Sequence, residues 1–540
     1  MRRITLLALM IARLAAQQAP TASIEGTVTD DVTNEPVKKA QVKLIGPGAQ
    51  STAVTDGLGR FAFRDLPAGA YLVQATRDGY DEARAIEFDE SGRQLQVAAD
   101  QHVSGADLRL VPSGSISGHL ADEQGNAARG CDVSAVAAWN PKSGAPRRNR
   151  ESWGEHSDDH GDYRISELPS GRYFVYEHCR QPLPTAHGFI ERGDPRTPSL
   201  IYAPGFFGGA PGSEGASAVI VRSGAETRGI DFRLKVVNAI RVYASVTSDQ
   251  PAGDPRDMTV LVSPRDQRMG RLGSYQLSFV PKDGVFTRLV APGAYVVKAY
   301  SENDDDRFYG EAPLDAGEAS PVTLMIPLTR APAVNGSIGF REKQATQFPR
   351  GAQVTLRPLD NEWDIDPLPQ ARLSPGGSFY VSGIVPGQWQ IEVKGIPGSI
   401  ESATIAGREI LPWAFDVSPT TRGTLHVVMS TTRVPLNVTV SGGENAHEIS
   451  VIAMPASGDP TQAQIVRAQG GVAAMSVPPG DYAVYAIESG GAAAIRQDAP
   501  LLAALAGQSR SVTVKDDGAN VALELITRDD LKHAFEQESR

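Results

Sequence analysis

The sequence predicts an all-β protein, a tandem array of about five antiparallel β-sandwich domains. Short runs of alternating apolar and polar residues are separated by turn residues, with 54 Gly and 38 Pro along 540 residues. A unit of two tight turns and two strands recurs at domain-sized intervals. The chain is also too long for one hydrophobic core, so each recurrence is expected to mark a domain.

The clearest copy of this unit spans residues 55–75 and consists of a turn, a short strand, a second turn and a long strand. Asp56 and Gly59 favour the first turn, because an aspartate side chain binds nearby backbone amides and glycine accepts positive φ. A Leu-Pro-Ala-Gly corner ends at Gly69 and leads into the long strand. Alternation places Tyr71 on the apolar face of that strand.

Paired turn glycines recur five times, nine or ten residues apart, and an aromatic residue follows two positions after the second glycine. The pairs are Gly59/Gly69, Gly161/Gly171, Gly284/Gly293, Gly377/Gly387 and Gly471/Gly480. The aromatic residues are Tyr71, Tyr173, Tyr295, Trp389 and Tyr482. We interpret each copy as the corner and core aromatic of a separate sandwich, because the repeat period is too long for a solenoid.

The first residues have the pattern of an export signal. Arg2 and Arg3 precede an apolar run over 4–12, and Ala15 and Ala16 offer small residues for cleavage. We therefore expect a secreted, periplasmic or cell-surface protein. The alternative is that the protein is cytoplasmic and that its first residues form an apolar strand. No later stretch approaches the ~20 apolar residues of a membrane-spanning helix, so no membrane span is expected.

The pattern divides the chain into a signal peptide, five sandwiches and a tail. The predicted boundaries are 1–19 for the signal peptide, 20–112, 113–235, 236–330, 331–431 and 432–527 for the sandwiches, and 528–540 for a helical tail. The second sandwich carries unusually long loops. A further short helix is predicted over 498–507, where an aspartate cap, an early proline and a final glycine occur.

Residues 23–111 resemble the carboxypeptidase regulatory-like domain. The resemblance rests on Gly26, Val28, Asp30, Pro36, Val37, Ala40, Val42, Leu44, Thr55, Asp56, Gly59, Phe61, Leu66, Pro67, Gly69, Tyr71, Val73, Gly79 and Tyr80. It is close here, fair over 114–235 and weaker beyond, where Lys282 and Asp283 replace the Thr-Asp pair in the third module. The resemblance implies a prealbumin-like (transthyretin-like, Ig-like) sandwich that accompanies peptidases without itself hydrolysing anything.

The sequence indicates a protein that is not an enzyme and needs no cofactor. It contains no zinc-peptidase, serine-hydrolase, phosphate-loop or dinucleotide motif. His156 and His160 bracket a histidine-aspartate segment that could hold a metal, but the segment also fits the turn of its module, and we predict no metal. Residues 302–306 could hold calcium, yet a solvated acidic loop is the favoured interpretation.

The long loops of the second sandwich are the candidate ligand-binding region, because binding residues concentrate on loops carried by rigid scaffolds. The candidate residues are Trp139, Arg147, Arg148, Trp153, Tyr202 and Phe206. Aromatic rings with arginines suit a sugar or peptide surface. The favoured alternative is that Tyr202 and Phe206 fix the loop onto its own sheet. Trp139, Trp153 and Trp363 are the first tryptophans to test for sugar binding.

The net charge of −11 argues against nucleic acid as a partner. A non-catalytic binding, adhesion or scaffold element is the predicted function. A polysaccharide or another cell-surface protein is the expected partner, and a monomer is the expected state. Carbohydrate binding is the alternative, and a metal-dependent hydrolase is the remote one.

A disulfide between Cys131 and Cys179 is predicted. They are the only two cysteines, both fall in the second module, and export would place them in an oxidising compartment. The resemblance to the transthyretin-like sandwich implies that their strands are antiparallel neighbours, so that the start of one lies beside the end of the other. Two buried free thiols are the alternative.

Overall fold

In the computed structural model, the described residues cover most of the chain after the predicted signal peptide. They are 22–46, 49–80, 95–137, 152–179, 199–210, 215–250, 252–265, 273–301, 307–317, 320–341, 348–349, 351–359, 363, 365, 368–396, 398–410, 414–421, 423–442, 449–455, 463–488, 505–527, 529–531 and 533. The chain forms two compact units, residues 1–112 and 113–540.

The first unit is one sandwich of two sheets. Its strands are β1 (Ala22–Asp30), β2 (Gln41–Gly46), β3 (Ala49–Val54), β4 (Arg60–Leu66), β5 (Gly69–Thr76), β6 (Leu95–Val97), β7 (His102–Val103) and β8 (Leu108–Leu110). One sheet has the order β4-β1-β7, with β8 also paired to β1, and the other has the order β3-β2-β5-β6.

The second unit begins with two further sandwiches. The first contains β9 (Gly114–Asp122), β10 (Asp132–Ala137), β11 (Ser152–His156), β12 (Asp162–Leu168), β13 (Gly171–His178), β14 (Leu200–Ala203), β15 (Gly205–Phe206), β16 (Ala218–Val221), β17 (Glu226–Thr227) and β18 (Phe232–Asn238). The next contains β19 (Ile240–Thr247), β20 (Met258–Pro264), β21 (Tyr275–Gln276), β22 (Ser278–Val280), β23 (Val285–Val290), β24 (Gly293–Ser301), β25 (Phe308–Ala316), β26 (Val322–Pro327) and β27 (Thr329–Arg330).

Two more sandwiches complete the second unit. The fourth sandwich contains β28 (Val334–Phe340), β29 (Gln353–Pro358), β30 (Gln370–Arg372), β31 (Ser378–Val381), β32 (Gly387–Lys394), β33 (Ser399–Ile405), β34 (Arg408–Glu409), β35 (Ala414–Val417) and β36 (Thr424–Ser430). The fifth contains β37 (Val434–Ser441), β38 (Ile449–Pro455), β39 (Gln464–Ala468), β40 (Val472–Val477), β41 (Gly480–Glu488), β42 (Arg510–Val514) and β43 (Ala519–Glu524).

All five sandwiches share one topology, which confirms the predicted all-β tandem array. In each, the first strand pairs antiparallel with the strand that precedes the corner. It also pairs parallel with a strand near the end of the same sandwich, and these partners are β8, β18, β26, β36 and β43. The second strand and the strand that follows the corner lie side by side in the opposite sheet. The corner therefore carries the chain from one sheet to the other in every copy.

The first glycine of each pair supplies the tight turn. Gly59 has φ 71° and Gly161 has φ 82°, and the three equivalent glycines also have positive φ. The turn docks on the first strand, because Val28 N–H donates to the Gly59 carbonyl at 2.8 Å. A Cβ on Gly59 would lie 2.5 Å from the Val28 carbonyl oxygen. Only glycine fits this position, since both the conformation and the space exclude a side chain.

The second glycine of each pair opens a strand, which differs from the turn position predicted for it. Gly69, Gly171, Gly293, Gly387 and Gly480 are the first residues of their strands. In the first two sandwiches, two residues lie between the end of the preceding strand and this glycine, and they form the bend. The short connection is possible because the proline in it already holds the φ of a turn.

The C-terminal end of the described chain begins a helix at the predicted tail. Thr527 and Asp530 form a reciprocal cap: Asp530 N–H donates to Thr527 Oγ1 at 3.2 Å, and Thr527 N–H donates to Asp530 Oδ2 at 2.9 Å. Residues 529–531 are helical. Of the helix predicted over 498–507, the first part lies outside the described residues, and a short 3₁₀ turn occupies Ala506–Gln508. No helix in the described ranges is long and apolar enough to cross a bilayer.

Candidate functional site

The second sandwich is closed by the disulfide that the sequence predicts. Cys131 and Cys179 are bonded, with their Cα atoms 4.2 Å apart. The antiparallel register of β10 and β13 pairs Asp132 with His178, and this brings the residues just outside the two strands together. Ser157 supports the same end, because its hydroxyl accepts from the Cys131 N–H at 3.0 Å and donates to the Ala128 carbonyl at 2.7 Å.

The segment that follows the long loop is fixed onto both sheets of the second sandwich. Strand β14 pairs with β18, and β15 pairs with β13. Phe206 is 1% exposed, and its ring centroid lies 4.9 Å from that of Tyr176. Tyr202 is half-buried against the core. Phe206 was a candidate ligand contact, with fixing of the loop as the favoured alternative; its buried ring leaves no exposed face for a ligand and packs the segment onto its sheet.

The other candidate aromatic residues are buried or half-buried by packing, or they lie outside the described residues. Trp153 is half-buried and packs edge-on against Tyr173, with ring centroids 5.6 Å apart. Trp363 is 6% exposed, so the expectation that it offers a sugar-stacking surface is wrong. Trp139, Arg147 and Arg148 lie outside the described residues.

The histidine-aspartate segment forms a turn of the same type as that at Asp56. Asp158 Oδ1 accepts from the backbone N–H groups of His160 and Asp162 at 2.8 and 2.9 Å, and Asp56 Oδ1 accepts from those of Leu58 and Arg60. These hydrogen bonds hold the pKa of Asp158 below its usual value. In the described part of the chain no group of three or more His, Cys, Asp or Glu side chains is placed to hold a metal.

Glu177 is a buried carboxyl inside the second sandwich. Its neighbours at alternate positions, Tyr173 and Val175, face the core, so the Glu177 side chain points inward as well. Gly205 N–H donates to the carboxyl, while Oε2 is buried and has no hydrogen-bond partner. Burial raises the pKa of Glu177 well above its usual value. An interior carboxyl of this kind is costly when ionised.

Aromatic residues join the second sandwich to the third. The hydroxyl oxygens of Tyr176 and Tyr275 are 2.6 Å apart. The ring of His178 lies beside that of Tyr275, with centroids 5.1 Å apart. Burial raises the pKa of both tyrosines, so the hydroxyl pair is neutral over the physiological range.

A cleft of about 280 Å³ opens beside this aromatic contact. Its walls are formed by the ends of β13 and β14 on one side and by β19, β22 and β23 on the other. Arg241, Arg288 and His178 contribute the basic groups that line it. Arg288 is oriented by the Tyr275 ring, whose centroid lies 4.8 Å from the guanidinium carbon, and by a 2.9 Å hydrogen bond to the Gln276 carbonyl.

The sequence offers little signal for this cleft. Arg241 stands in the alternating run Ile240-Arg241-Val242, as a solvent-facing residue of any half-buried strand would. Tyr275 and Arg288 come from two different strands of the third sandwich, and His178 comes from another domain. Only the docking of the two sandwiches brings these residues together.

The fold and the cleft define the protein as a tandem β-sandwich array with a cleft between two adjacent sandwiches. Residues 23–111 match the sequence model of the carboxypeptidase regulatory-like domain, which confirms the resemblance predicted for the first sandwich. No match is found among curated proteins.

A search of solved structures matches this chain to several proteins at low identity. The minor pilin GBS52 of Streptococcus agalactiae is 13% identical, with a TM-score of 0.20, and the alignment covers 40% of this chain and 96% of the pilin. The shaft pilin SpaA of Lactobacillus rhamnosus GG is 9% identical, with a TM-score of 0.21 and coverage of 41% and 98%. The TIE protein of Bacillus anthracis is 12% identical, with a TM-score of 0.15 and coverage of 77% and 74%. Likeness at this level does not bear on function.

Proposed function

We propose that the chain is an exported, non-catalytic scaffold whose tandem sandwiches, divided as the sequence predicts, hold binding surfaces at fixed spacing. A polysaccharide or another cell-surface protein is the proposed partner. The observation that supports this proposal most strongly is the direct packing of the third sandwich against the fourth. A spacer that merely tethers its ends would need no such contact, because a flexible linker suffices for tethering.

Trp363 is the centre of the contact between the third and fourth sandwiches. Its ring lies edge-on to Tyr309 of the third sandwich at 5.7 Å, and Lys298 Nζ lies 5.1 Å from its centroid. Its indole N–H donates to the Pro386 carbonyl at 3.0 Å within the fourth sandwich. The core of the fourth sandwich therefore continues into the third, where the same apolar cluster includes Leu261, Tyr300 and Tyr309.

A buried arginine crosses the same boundary. Arg307 is 2% exposed. Its Nε–H donates to the Ser301 carbonyl at 3.3 Å, and its Nη1–H donates to the Gly383 carbonyl of the fourth sandwich at 3.0 Å. A buried guanidinium bonded across the boundary tolerates little displacement, because opening would separate the charge from the Gly383 carbonyl.

The connections between sandwiches of the second unit are short. One residue, Ala239, separates β18 from β19, and three residues separate β27 from β28 and β36 from β37. Ala239 N–H donates to the Ser199 carbonyl at 2.7 Å, and Ala331 N–H donates to the Arg307 carbonyl at 2.8 Å. Connections that are this short and hydrogen-bonded leave little freedom for hinge motion.

Export is supported by the N-terminal signal pattern and by the disulfide, since stable disulfides are uncommon in the cytosol of mesophiles. A secreted, periplasmic or cell-surface location follows. Fractionation of cells that produce the full chain tests this step. We expect the chain outside the cytoplasm, with both thiols oxidised; a reduced cytoplasmic protein would contradict the proposal.

Hydrogen exchange of the full chain tests the rigid contact. We expect the amides of Ala331 and Ile384, which bond to main-chain carbonyls at the boundary, to be protected like those of the flanking strands. Trp363→Ala should accelerate their exchange. Tyr380→Ala is the control, because this aromatic residue of the same sandwich is 56% exposed. Rapid exchange at both amides in the unmodified chain would contradict a rigid scaffold.

The alternative of carbohydrate binding through exposed aromatic residues of the second sandwich loses support at Phe206, which is buried. Trp153 and Tyr202 are half-buried and pack against the core. The remote alternative of a metal-dependent hydrolase relied on His156 and His160. His156 Nε2 contacts Asp132 at 3.0 Å, and the Asp158 side chain is engaged in its turn. Neither alternative therefore has a described site that favours it.

A further inference from the structure

We propose that the cleft between the second and third sandwiches binds a small molecule that carries a carboxylate, held by Arg241 and Arg288. This site goes beyond the scaffold proposed above and does not depend on it. Four features of the cleft support this site: its charge, the orientation of its two arginines, its apolar walls and its size.

The cleft is positively charged on an acidic protein. The chain has a net charge of −11, yet Arg241, Arg288 and His178 line the cleft, and its described lining residues include no Asp or Glu. Two described carboxylates on neighbouring strands of the second sandwich are not among the lining residues. Asp132 Oδ2 lies 3.6 Å from Nδ1 of His178, which lines the cleft, and Glu177 points into the core. An anion that enters the cleft therefore meets two guanidinium groups, and none of the described residues that line the cleft is a carboxylate.

Arg241 is oriented toward the cleft by the strand that carries it. Its neighbours Ile240 and Val242 are buried in the third sandwich, so the Arg241 side chain lies on the opposite face of β19. Its backbone N–H is engaged by Ser320 Oγ at 3.0 Å. In the described part of the chain, its guanidinium forms no hydrogen bond or ion pair. A guanidinium offers paired N–H donors in the geometry that a carboxylate accepts.

Arg288 is held in place by protein groups before any ligand arrives. Its guanidinium lies over the Tyr275 ring and donates to the Gln276 carbonyl. Tyr275 is in turn fixed by Tyr176, so the second sandwich supports the position of an arginine on the third. Such preorganisation lowers the entropy lost when a ligand binds.

The remaining walls and the size of the cleft limit the ligand. Tyr202, Leu289 and Pro204 supply apolar surface, and Ser278 supplies a hydroxyl. A volume of about 280 Å³ lies just below the ~300–1,000 Å³ typical of small-molecule pockets. The cleft therefore suits a compact ligand whose carboxylate is attached to a single ring, either a sugar ring or a flat aromatic ring.

Calorimetric titration of the full chain distinguishes these two ring types and tests whether binding requires the carboxylate charge. The probes are glucuronate and benzoate, with glucose and benzamide as their uncharged counterparts. We expect at least one carboxylate to bind and its uncharged counterpart to bind at least about tenfold more weakly, as loss of a charge-assisted hydrogen bond predicts. Equal binding of a carboxylate and its uncharged counterpart, or no binding of either carboxylate, would overturn the proposal.

Two arginine variants assign the binding to the cleft. Arg241→Gln should weaken binding of the carboxylate by at least about tenfold. Arg256→Gln is the matched control, because this exposed arginine of the same sandwich lies outside the cleft and its loss changes the net charge equally. Identical affinities for the two variants would place the anion elsewhere and refute the site. The hydrogen-exchange result for the scaffold is independent of either outcome.

Discussion

The hydroxyl of Tyr173 donates a hydrogen bond to the main-chain carbonyl of Pro169, four residues earlier, at 2.7 Å. The equivalent aromatic residue does the same in the other four sandwiches. The pairs are Tyr71 with Pro67, Tyr295 with Ala291, Trp389 with Val385, and Tyr482 with Pro478. Each bond joins the long strand to the corner that precedes it, so it fixes the chain where it passes between sheets.

Replacing Tyr173 with Phe should destabilise the second sandwich by about 1–2 kcal/mol, because the buried Pro169 carbonyl would lose its donor. The aromatic ring and its packing would be retained. Urea unfolding of the full chain, followed at the second sandwich by hydrogen exchange, measures the loss. Tyr380→Phe is the control, since its ring is exposed. Equal stability of the two variants would show that the corner bond is not stabilising.

Gly59→Ala should destabilise the first sandwich, whereas Gly57→Ala should not. Gly59 has φ 71°, and an added Cβ would approach the Val28 carbonyl oxygen. The conformation alone costs about 1–3 kcal/mol for a residue with a side chain. A Cβ on Gly57 would meet no atom within 4 Å. Urea unfolding of the two variants should separate them, and matching curves would contradict this account of the turn.

Reduction of the Cys131–Cys179 bond should destabilise the second sandwich. The sequence separation is 48 residues, and the chain-entropy model gives about 4 kcal/mol for a loop of that length. Alkylation and mass spectrometry without reductant should find no modified cysteine. The first sandwich contains no cysteine and is the internal control, since its unfolding should be unchanged by reductant. Two alkylated thiols in the exported protein would contradict the bridge.

Glu177 should make the second sandwich less stable as the pH rises. Its folded pKa lies above the value of 4.5 expected when unfolded, so between those pKa values the folded state retains a proton that the unfolded chain releases. Stability contributed by this carboxyl is therefore complete below about pH 4.5 and is lost as the pH rises through the folded pKa.

Glu177→Gln tests this dependence because the amide cannot ionise. We expect the variant and the unmodified chain to have similar stability near pH 4, with the variant increasingly favoured at higher pH. Thermal unfolding across that range supplies the measurement. Glu311→Gln is the control, because Glu311 is an exposed glutamate on the third sandwich. A constant difference between the Glu177 variant and the unmodified chain would contradict burial of an ionisable carboxyl.

The sequence determined the repeated corner and, through it, the fold class. The spacing of Gly59 from Gly69, with Tyr71 two positions later, predicts a tight turn and a core aromatic residue. Those requirements are local: positive φ needs glycine, and alternation decides which face an aromatic residue occupies. The pairing of Cys131 with Cys179 was also predictable, since the only two cysteines lie in one module and each has one intramolecular partner.

The tertiary structure alone decided which aromatic and charged side chains are accessible. Trp363 and Phe206 appear in the sequence among loop residues, yet contacts with Tyr309 and Tyr176 bury them. In the sequence, Arg241 has the pattern of an ordinary surface residue. Docking of the second and third sandwiches makes it part of the wall of a cleft. Burial between domains depends on contacts among residues that are distant in sequence. The alternation of apolar and polar residues within one strand does not predict those contacts.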